Sequence, residues 1–441
     1  MSPSQSPSIH VTRIDATGTT LECEVRPSPD LQRFFTGEPF RTSYDVPIED
    51  VPEGVLAIPV LAHVCPIAWT QGADVYVEEV DATFARALED VKATLLAMYP
   101  HFLEGGQLKA RRTVEVAPEG GGESGLLFTG GVDSTSSYVR RREEEPTLIS
   151  IRGWTITPDA SDDGKWADLR SRVSGFADER GLETAFLESN MLSALDHPMV
   201  LAHFGHLVDG GWYSSVGHGL GLLGLCAPLA HARGMDDLYV AATHWEGVDL
   251  EWGSRPDIDD YVRWTGTRCH HDVYDLTRQE RLDLIADYVA TASPGLALQT
   301  CNARMDGNCS HCEKCYRTAI GLRLSGLDPN DHGYQFGDED YPAVRRSFER
   351  GEWILGHDER YMWADVRNRV RKTEPRSELE GEFFDWLEVV DLEELVAVGE
   401  SPIHHRLLRA GARNAPNGVY TTLYPVWDVA KSGYRRVVPN R

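Results

Sequence analysis

Residues 126–138 read LLFTGGVDSTSSY, and this stretch decides the fold. An apolar strand runs into a glycine pair, Gly130 and Gly131, and an Asp-Ser-Thr triplet then opens a helix. Because glycines have no side chain, the backbone N–H groups beside them can approach a phosphate closely. The first turn of the following helix adds unpaired N–H donors and a partial positive charge. The stretch therefore predicts a phosphate-binding loop at the carboxyl end of a strand.

The polar residues of the loop favour a nucleotide together with its metal ion. The hydroxyls of Thr129, Ser134 and Thr135 can donate to phosphate oxygens. The carboxylate of Asp133 is the hard oxygen ligand that Mg²⁺ prefers. We therefore expect ATP and Mg²⁺ at the loop, with Asp133 and Ser134 in catalytic roles and Val132 among the binding residues.

A glycine pair alone can serve a turn for conformational reasons only. The complete string TGGVDST between a strand and a helix favours binding instead. The lysine of the GxxxxGK[ST] loop is missing from this stretch, so we expect a different class of nucleotide-binding protein.

The pattern around the loop predicts an α/β fold. From Leu126 onward, short apolar runs such as TLISI and DLYVAA alternate with amphipathic helical segments, which is typical of a doubly wound parallel sheet with helices on both faces. This alternation assigns residues 118–326 to the nucleotide-binding domain. Residues 1–117 mix alternating segments with one helical stretch and predict a separate α+β module, and residues 327–441 predict an added acidic helical module.

A second motif lies at the end of the alternating region. Cys301, Cys309, Cys312 and Cys315 follow the spacing C-x₇-C-x₂-C-x₂-C, while the other four of the eight cysteines are scattered. Clustered cysteines in a chain without a secretion signal point to a metal rather than to disulfides. Four thiolates leave no open coordination position, so we expect a structural Zn²⁺ site.

Together the two motifs resemble a known superfamily. TGGVDST looks like the SGGxDS loop of N-type ATP pyrophosphatases, or PP-loop proteins, with Thr129 in place of the usual first serine. With the cysteine cluster added, residues 124–326 are similar to the 7-cyano-7-deazaguanine synthases. The resemblance implies an adenine nucleotide alpha-hydrolase-like fold with a zinc knuckle. It also implies adenylation of an acceptor carboxylate, release of pyrophosphate and AMP, and uptake of ammonia in a step of deazaguanine biosynthesis.

The resemblance extends to nucleotide-contacting residues outside the loop. Arg152 and Gly153 follow the second strand, where relatives receive the adenine, although a simple turn would also explain them. His218 opens a helix where relatives present side chains to the nucleotide, although a capping or merely buried histidine fits as well.

Four residues are candidates for the acceptor site. His244 and Trp245 follow the strand DLYVAA, and ligands of open α/β sheets bind beyond the carboxyl ends of strands. Arg255 and Asp257 partly match the tyrosine-proline-aspartate-cysteine-arginine element of the synthases, but no cysteine is present there.

The charge of the chain limits its partners. The formal net charge is −26, with 69 acidic residues and only six lysines among the 43 basic ones. Such a surface is familiar from salt-loving organisms and disfavours extended nucleic-acid binding. The N-terminus lacks the blocks of a secretory signal and no run of about 20 apolar residues occurs. We therefore expect a cytoplasmic protein without a membrane partner.

The acceptor itself is left open by the sequence. A small-molecule carboxylate is the leading candidate, and a homodimer is compatible with the sequence. One alternative is a ligase or thiolase that acts on a protein or tRNA docked by the terminal modules. The other is a non-catalytic zinc-containing interaction protein with a degenerate loop, against which the retained glycines, Asp133 and Ser134 argue.

Overall fold

The computed structural model describes residues 6–395, except 119, 209–210, 292–294, 303 and 354. Within these residues, eleven strands form one sheet in the order β10-β11-β9-β6-β7-β8-β3-β2-β1-β4-β5. The strands are β1 (Ser8–Thr17), β2 (Thr20–Pro27), β3 (Phe40–Ser43), β4 (Asp74–Asp81), β5 (Leu108–Val114), β6 (Glu123–Leu127), β7 (Thr147–Arg152), β8 (Thr184–Ser189), β9 (Met235–Ala241), β10 (Arg263–Trp264) and β11 (Thr267–Asp272). Most neighbouring strands pair in parallel, so the predicted α/β class with a largely parallel sheet is confirmed.

Helices connect most of these strands and dominate the described residues after β11. They are α1 (Glu53–Leu56), α2 (Ile58–Trp69), α3 (Ala82–Met98), α4 (Val132–Arg141), α5 (Asp163–Asp178), α6 (His197–Phe204), α7 (His218–Leu225), α8 (Ala227–Arg233), α9 (Pro256–Asp259), α10 (Arg278–Thr291), α11 (Glu313–Leu324), α12 (Tyr341–Glu349), α13 (His357–Val370), α14 (Glu378–Val389) and α15 (Leu392–Leu395). None of the helices in the described residues is long and apolar enough to cross a membrane.

The central strands are buried on both faces. Leu148 of β7 packs into one apolar core and its neighbour Ile149 packs into another, and Tyr239 and Leu238 of β9 divide in the same way. Successive side chains of a strand point to opposite faces of the sheet, so the two cores lie on its two sides. Helices α4, α5, α10 and α11 contribute to one core, and α2, α3, α7 and α8 contribute to the other.

The first 117 residues continue the same sheet. Strand β3 pairs antiparallel with β8, where Thr42 lies opposite Ser189 and the two hydroxyls are 3.1 Å apart. The Tyr44 hydroxyl donates to the backbone carbonyl of Leu225, 3.0 Å away at the end of α7. The division at residue 117 remains a prediction about folding units, and the sheet and one core cross it without a break.

Helices α2 and α7 join the two sides of that division at close range. A Cβ placed on Gly224 would lie 2.6 Å from the Cβ of Ala62, and one on Gly221 would lie 3.1 Å from Nε2 of His63. The contact at Gly224 is too close for a methyl group and the contact at Gly221 is tight, so the glycines allow α7 to lie directly on α2.

The described part of the predicted C-terminal module packs against the end of the alternating region. The indole N–H of Trp363 in α13 donates to the Glu313 carboxylate at the start of α11, at 2.7 Å. The carboxylate of Asp365 in α13 accepts from the backbone N–H of Gln279 in α10, at 2.8 Å. Helix α13 therefore braces α10 and α11, and residues 396–441 of the predicted module lie outside the described residues.

We expect opposite effects from two glycine-to-alanine substitutions in helices. Gly224→Ala should lower the free energy of unfolding by roughly 1–3 kcal/mol, because the methyl group overpacks the contact with α2. Gly175→Ala on α5, where no atom lies within 4 Å of the added Cβ, should raise it by up to about 1 kcal/mol through helix propensity. Urea unfolding followed by circular dichroism measures both. A stabilised Gly224→Ala variant would contradict the close packing of α2 and α7.

Candidate functional site

The candidate site lies where parallel strands end together. Strands β8, β7, β6, β9 and β11 run parallel in that order, so their carboxyl ends meet at one edge of the sheet. The segments after β6, β7 and β9 carry the glycine loop, Gly153 and His244. The structure therefore brings the main groups of predicted nucleotide and acceptor residues to the same edge.

The glycine loop is a tight turn held by backbone hydrogen bonds. Gly130 has φ of +78°, a conformation that favours glycine, and its carbonyl accepts from the backbone N–H of Gln299 at 2.8 Å. Gly131 precedes the first residue of α4. The hydroxyl of Ser134 accepts from the N–H of Thr129 at 3.3 Å, while the buried hydroxyl of Thr135 has no partner among the described residues.

The carboxylate of Asp133 is held by two arginines from the start of α10. Nη1 of Arg278 lies 2.7 and 2.6 Å from its two oxygens, and Nη1 of Arg281 lies 2.7 Å from Oδ1. Burial alone would raise the pKa of Asp133, but the two guanidinium groups outweigh burial and hold this pKa below its ordinary value. Asp133 is therefore a carboxylate at neutral pH.

The two arginines differ in how firmly they are fixed. The side chain of Arg281 is fully buried and also donates to the carbonyls of Ala242 and His244, both at 2.5 Å, and of Val273 at 3.1 Å. Arg278 is 11% exposed, and within the described residues its side-chain hydrogen bonds go to Asp133 alone. Arg281 is thus part of the framework, whereas Arg278 has freedom to exchange its partner.

Two further cations lie near the loop. Arg172 of α5 donates to the carbonyl of Thr129 at 3.3 Å, and its Nε is buried without a partner among the described residues. Lys314 stands in the sequence between Cys312 and Cys315 of the cluster. Burial and the neighbouring Arg278 and Arg317 lower the pKa of its ammonium group. A chain of net charge −26 therefore concentrates positive charge around its glycine loop.

An aromatic and imidazole cluster lies beside the loop at the same edge. The ring of His218 is 4.6 Å from that of Trp154 and 6.2 Å from that of Trp252, which contacts His244 edge-on at 5.0 Å. Burial lowers the pKa of both histidines to about 4, so both rings are neutral at pH 7. The buried nitrogens His218 Nδ1, His244 Nε2 and Trp252 Nε1 have no hydrogen-bond partner among the described residues. Buried polar atoms without partners are uncommon, which marks this cluster as a candidate ligand site.

Other predicted binding residues have structural partners. The buried guanidinium of Arg152 donates to the carboxylates of Asp163, at 2.7 Å, and Glu188, at 3.2 Å. The N–H of Gly153 donates to the carbonyl of Ile156, and a Cβ on Gly153 would lie 2.7 Å from the carbonyl of Ser189. These residues thus fix the turn after β7, where a glycine is required.

The segment after β9 carries the remaining predicted acceptor residues. Arg255 and Asp257 form a partly exposed ion pair with each other, at 2.9 Å. Trp245 is partly buried, and its carbonyl accepts from the N–H of Val248. These three predictions remain untested.

The four cysteines form one cluster. The sulfurs of Cys301, Cys309, Cys312 and Cys315 all lie within 4.8 Å of one another, and those of Cys309 and Cys315 are 3.8 Å apart. Zinc–thiolate bonds of about 2.3 Å in a tetrahedron place sulfurs roughly 3.8 Å apart. The cluster could therefore hold a metal ion such as zinc.

One side chain organises the loop that carries these cysteines. The amide oxygen of Asn308 accepts from the N–H groups of Thr300 and Cys301, at 3.0 and 3.1 Å. Its amide nitrogen donates to the carbonyls of Leu298 and Gly333, at 2.7 and 3.0 Å. All four hydrogen-bonding positions of the amide are used, so Asn308 fixes the backbone at the first ligand.

Sequence reasoning missed the residues that contact the loop from distant segments, namely Arg172, Arg278, Arg281 and Gln299. One signal was available, because Arg278 and Arg281 are three positions apart at the start of the helix that follows β11. Neighbours at this spacing share a helix face, and that end of the helix adjoins the carboxyl edge of the sheet. Arg172 and Gln299 carry no comparable local signal.

No protein-family model, curated protein sequence or solved structure is significantly similar to this chain.

We expect one zinc ion per chain in the purified protein. Cys312→Ser should abolish zinc retention and lower stability, because metal binding by four thiolates is coupled to folding. Elemental analysis and thermal unfolding measure the two effects. Cys226→Ser, which changes a buried cysteine outside the cluster, is the control and should keep its zinc. A metal-free protein that is fully stable would contradict the assignment.

Proposed function

We propose that this chain is an ATP pyrophosphatase-type enzyme that adenylates an acceptor oxygen and releases pyrophosphate and then AMP. The observation that carries the proposal is the glycine loop at the sheet edge, surrounded by the cationic side chains of Arg172, Arg278, Arg281 and Lys314. A glycine turn leading into a helix provides backbone donors for phosphate oxygens, and the cations supply the charge that a polyphosphate requires.

The strand order supports a doubly wound, adenine nucleotide alpha-hydrolase-like fold. From β6, the chain proceeds to β7 and β8 on one side and returns to β9 and β11 on the other. The order therefore reverses between β6 and β9, and the glycine loop follows β6. Ligands of open α/β sheets bind at such a switch point, beyond the carboxyl ends of the strands.

We assign the loop and its cations to the β and γ phosphates. Negative charge accumulates on pyrophosphate as it leaves, and fixed cations stabilise this charge better than water does. Arg278 is suited to this role because it can exchange the Asp133 carboxylate for a phosphate oxygen. Arg281, which also donates to four backbone carbonyls, would stay in place and keep Asp133 oriented.

Asp133 is the residue that would hold Mg²⁺. Its Oδ1 accepts from both arginines, whereas its Oδ2 accepts from Arg278 alone, so withdrawal of Arg278 would free Oδ2. A bound Mg²⁺ neutralises phosphate charge and orients the polyphosphate.

The proposed reaction has two steps. An acceptor carboxylate oxygen attacks the α-phosphorus of ATP, the bond from this phosphorus to its bridging oxygen breaks, and pyrophosphate leaves with that oxygen. Ammonia then attacks the activated carboxyl carbon, AMP leaves with the electron pair of the broken C–O bond, and the nitrogen loses a proton. In both steps the protein mainly positions reactants and stabilises charge.

The cluster of Trp154, His218, Trp252 and His244 is our candidate for the acceptor side of the site. Its unpartnered nitrogens offer an N–H donor from the indole and acceptors from the neutral imidazoles, and its rings suit a planar molecule. These properties fit a carboxylate of the 7-carboxy-7-deazaguanine type, as in a 7-cyano-7-deazaguanine synthase-like C–N ligase. We propose a cytoplasmic location, where thiols stay reduced and available for zinc.

The reaction products test the proposed function. The protein incubated with Mg-ATP, ammonia and candidate carboxylates should yield AMP and pyrophosphate, identified by mass spectrometry and phosphorus NMR. Formation of ADP and phosphate would refute it. Asp133→Asn should abolish turnover because it weakens the metal ligand. That variant also leaves the buried Arg281 without a charged partner and should lose roughly 3 kcal/mol of stability, so circular dichroism must establish that it is folded under assay conditions.

A second test concerns Arg278. Arg278→Met should weaken the binding of pyrophosphate by about 10- to 100-fold, because a charge-assisted hydrogen bond is lost. Isothermal titration calorimetry with pyrophosphate measures this without any acceptor. Arg345→Met on α12, where the arginine pairs with Glu349 on the surface, is the matched control and should bind as the wild type does. Equal affinities in all three proteins would remove Arg278 from the site.

A further inference from the structure

Gln299 connects the glycine loop to the cysteine loop. Its backbone N–H donates to the carbonyl of Gly130 at 2.8 Å. Its side-chain amide nitrogen, with two N–H donors, lies within hydrogen-bonding distance of three carbonyls of the segment that starts at the first cysteine, those of Cys301 at 3.2 Å, Arg304 at 2.9 Å and Gly307 at 3.2 Å. The residue is only 8% exposed, so these hydrogen bonds are made with little competition from water.

Arg172 makes a second connection between the same two loops. Its Nη1 donates to the carbonyl of Met305 at 2.7 Å, and its Nη2 donates to the carbonyl of Thr129 at 3.3 Å. The planar guanidinium fixes the directions of its donors, so this one side chain relates the positions of the two carbonyls. Two residues, Gln299 through its backbone and side chain and Arg172 through its side chain, therefore link the residues before Gly131 to the cysteine loop.

The geometry of the cysteine loop depends on its ends. The residues described between Cys301 and Cys309 form no helix or strand, and the loop is only seven residues long. A metal bound to both cysteines would fix both ends and reduce the conformations open to the loop. Without the metal, the carbonyls that accept from Gln299 and Arg172 would lose this constraint.

We propose that Gln299 and Arg172 are positioning residues that transmit metal binding at the four cysteines to the glycine loop. The conformation of residues 129–131, and through it the affinity of the loop for phosphate, then depends on the metal. The part that concerns phosphate rests on the proposed function, whereas the ordering of the loop does not.

Hydrogen exchange measures the ordering of the loop directly. Exchange is followed by mass spectrometry in peptides covering residues 126–135 of the full-length protein, before and after zinc is removed with a chelator. In the wild type, zinc removal should speed exchange in these peptides about tenfold, since hydrogen bonds to the loop are lost. Unchanged exchange after zinc removal would overturn the proposal.

Variants of the two connecting residues test how the effect is transmitted. In Gln299→Met and Arg172→Met, the same peptides should exchange faster than in the wild type while zinc is still bound, as elemental analysis measures. Removal of zinc from these variants should then increase the exchange rate only slightly. The matched control is Arg170→Met. Arg170 lies on the same helix over the ring of Phe186, at 4.7 Å, and its variant should respond to chelation as the wild type does. If Gln299→Met loses its zinc, the test rests on Arg172→Met. A zinc-bound Arg172→Met variant whose loop peptides exchange as slowly as those of the wild type would overturn the proposal.

Pyrophosphate binding separates this proposal from the proposed function. Zinc-loaded wild type should bind pyrophosphate, and the stripped protein and Gln299→Met should bind it about tenfold more weakly by calorimetry. Equal binding by all three would refute the transmission and leave the function standing. If none binds pyrophosphate while the exchange results hold, the proposed function fails and the connection between the loops stands.

Discussion

A single buried guanidinium, that of Arg281, holds the carboxyl edge of the sheet together. It pairs with Asp133 at the start of α4 and donates to the carbonyls of Ala242 and His244 after β9 and of Val273 after β11. A fully buried cation is tolerated only when it is paired and its donors are satisfied. The positions of the glycine loop and of the segments after β9 and β11 are therefore coupled. Helix α13 keeps this cation in place, because Asp365 caps the helix that carries it.

How much of this site could be predicted from the sequence depends on whether its parts are local. The TGGVDST loop and the four cysteines were identified because each motif lies within one short segment of the sequence. The structure places the four sulfurs together. Arg172, Arg278 and Gln299 reach the loop from segments 43 to 169 positions away. The periodicity of apolar residues indicates local secondary structure and does not reveal contacts between such distant segments. The pairing of β3 with β8 was missed for the same reason, because it joins residues about 147 apart.

The charge distribution suits small phosphates better than large polyanions. Acidic residues outnumber basic ones by 69 to 43, and such a surface repels an extended phosphate backbone. Arg172, Arg278 and Lys314 nevertheless converge on one loop, where partial burial strengthens their local field. At moderate salt, interactions between exposed charges are screened beyond roughly 10 Å, whereas interactions of partly buried charges are screened much less. If the loop binds a compact polyphosphate as proposed, these cations would attract it even at salt concentrations that screen the repulsion from the acidic surface.

The N-terminal residues shape the part of the site that we propose for the acceptor. His218 begins α7, and α7 lies so close to α2 that Gly224 has no room for a side chain. The orientation of α7, and with it the ring of His218 against Trp154 and Trp252, follows from a helix in the first 70 residues. The part that we propose for phosphate is set instead by α4, α5, α10 and α11 on the other face of the sheet. The two faces thus control the two halves of the proposed site, and changes in the N-terminal residues can alter the proposed acceptor half while the glycine loop is preserved.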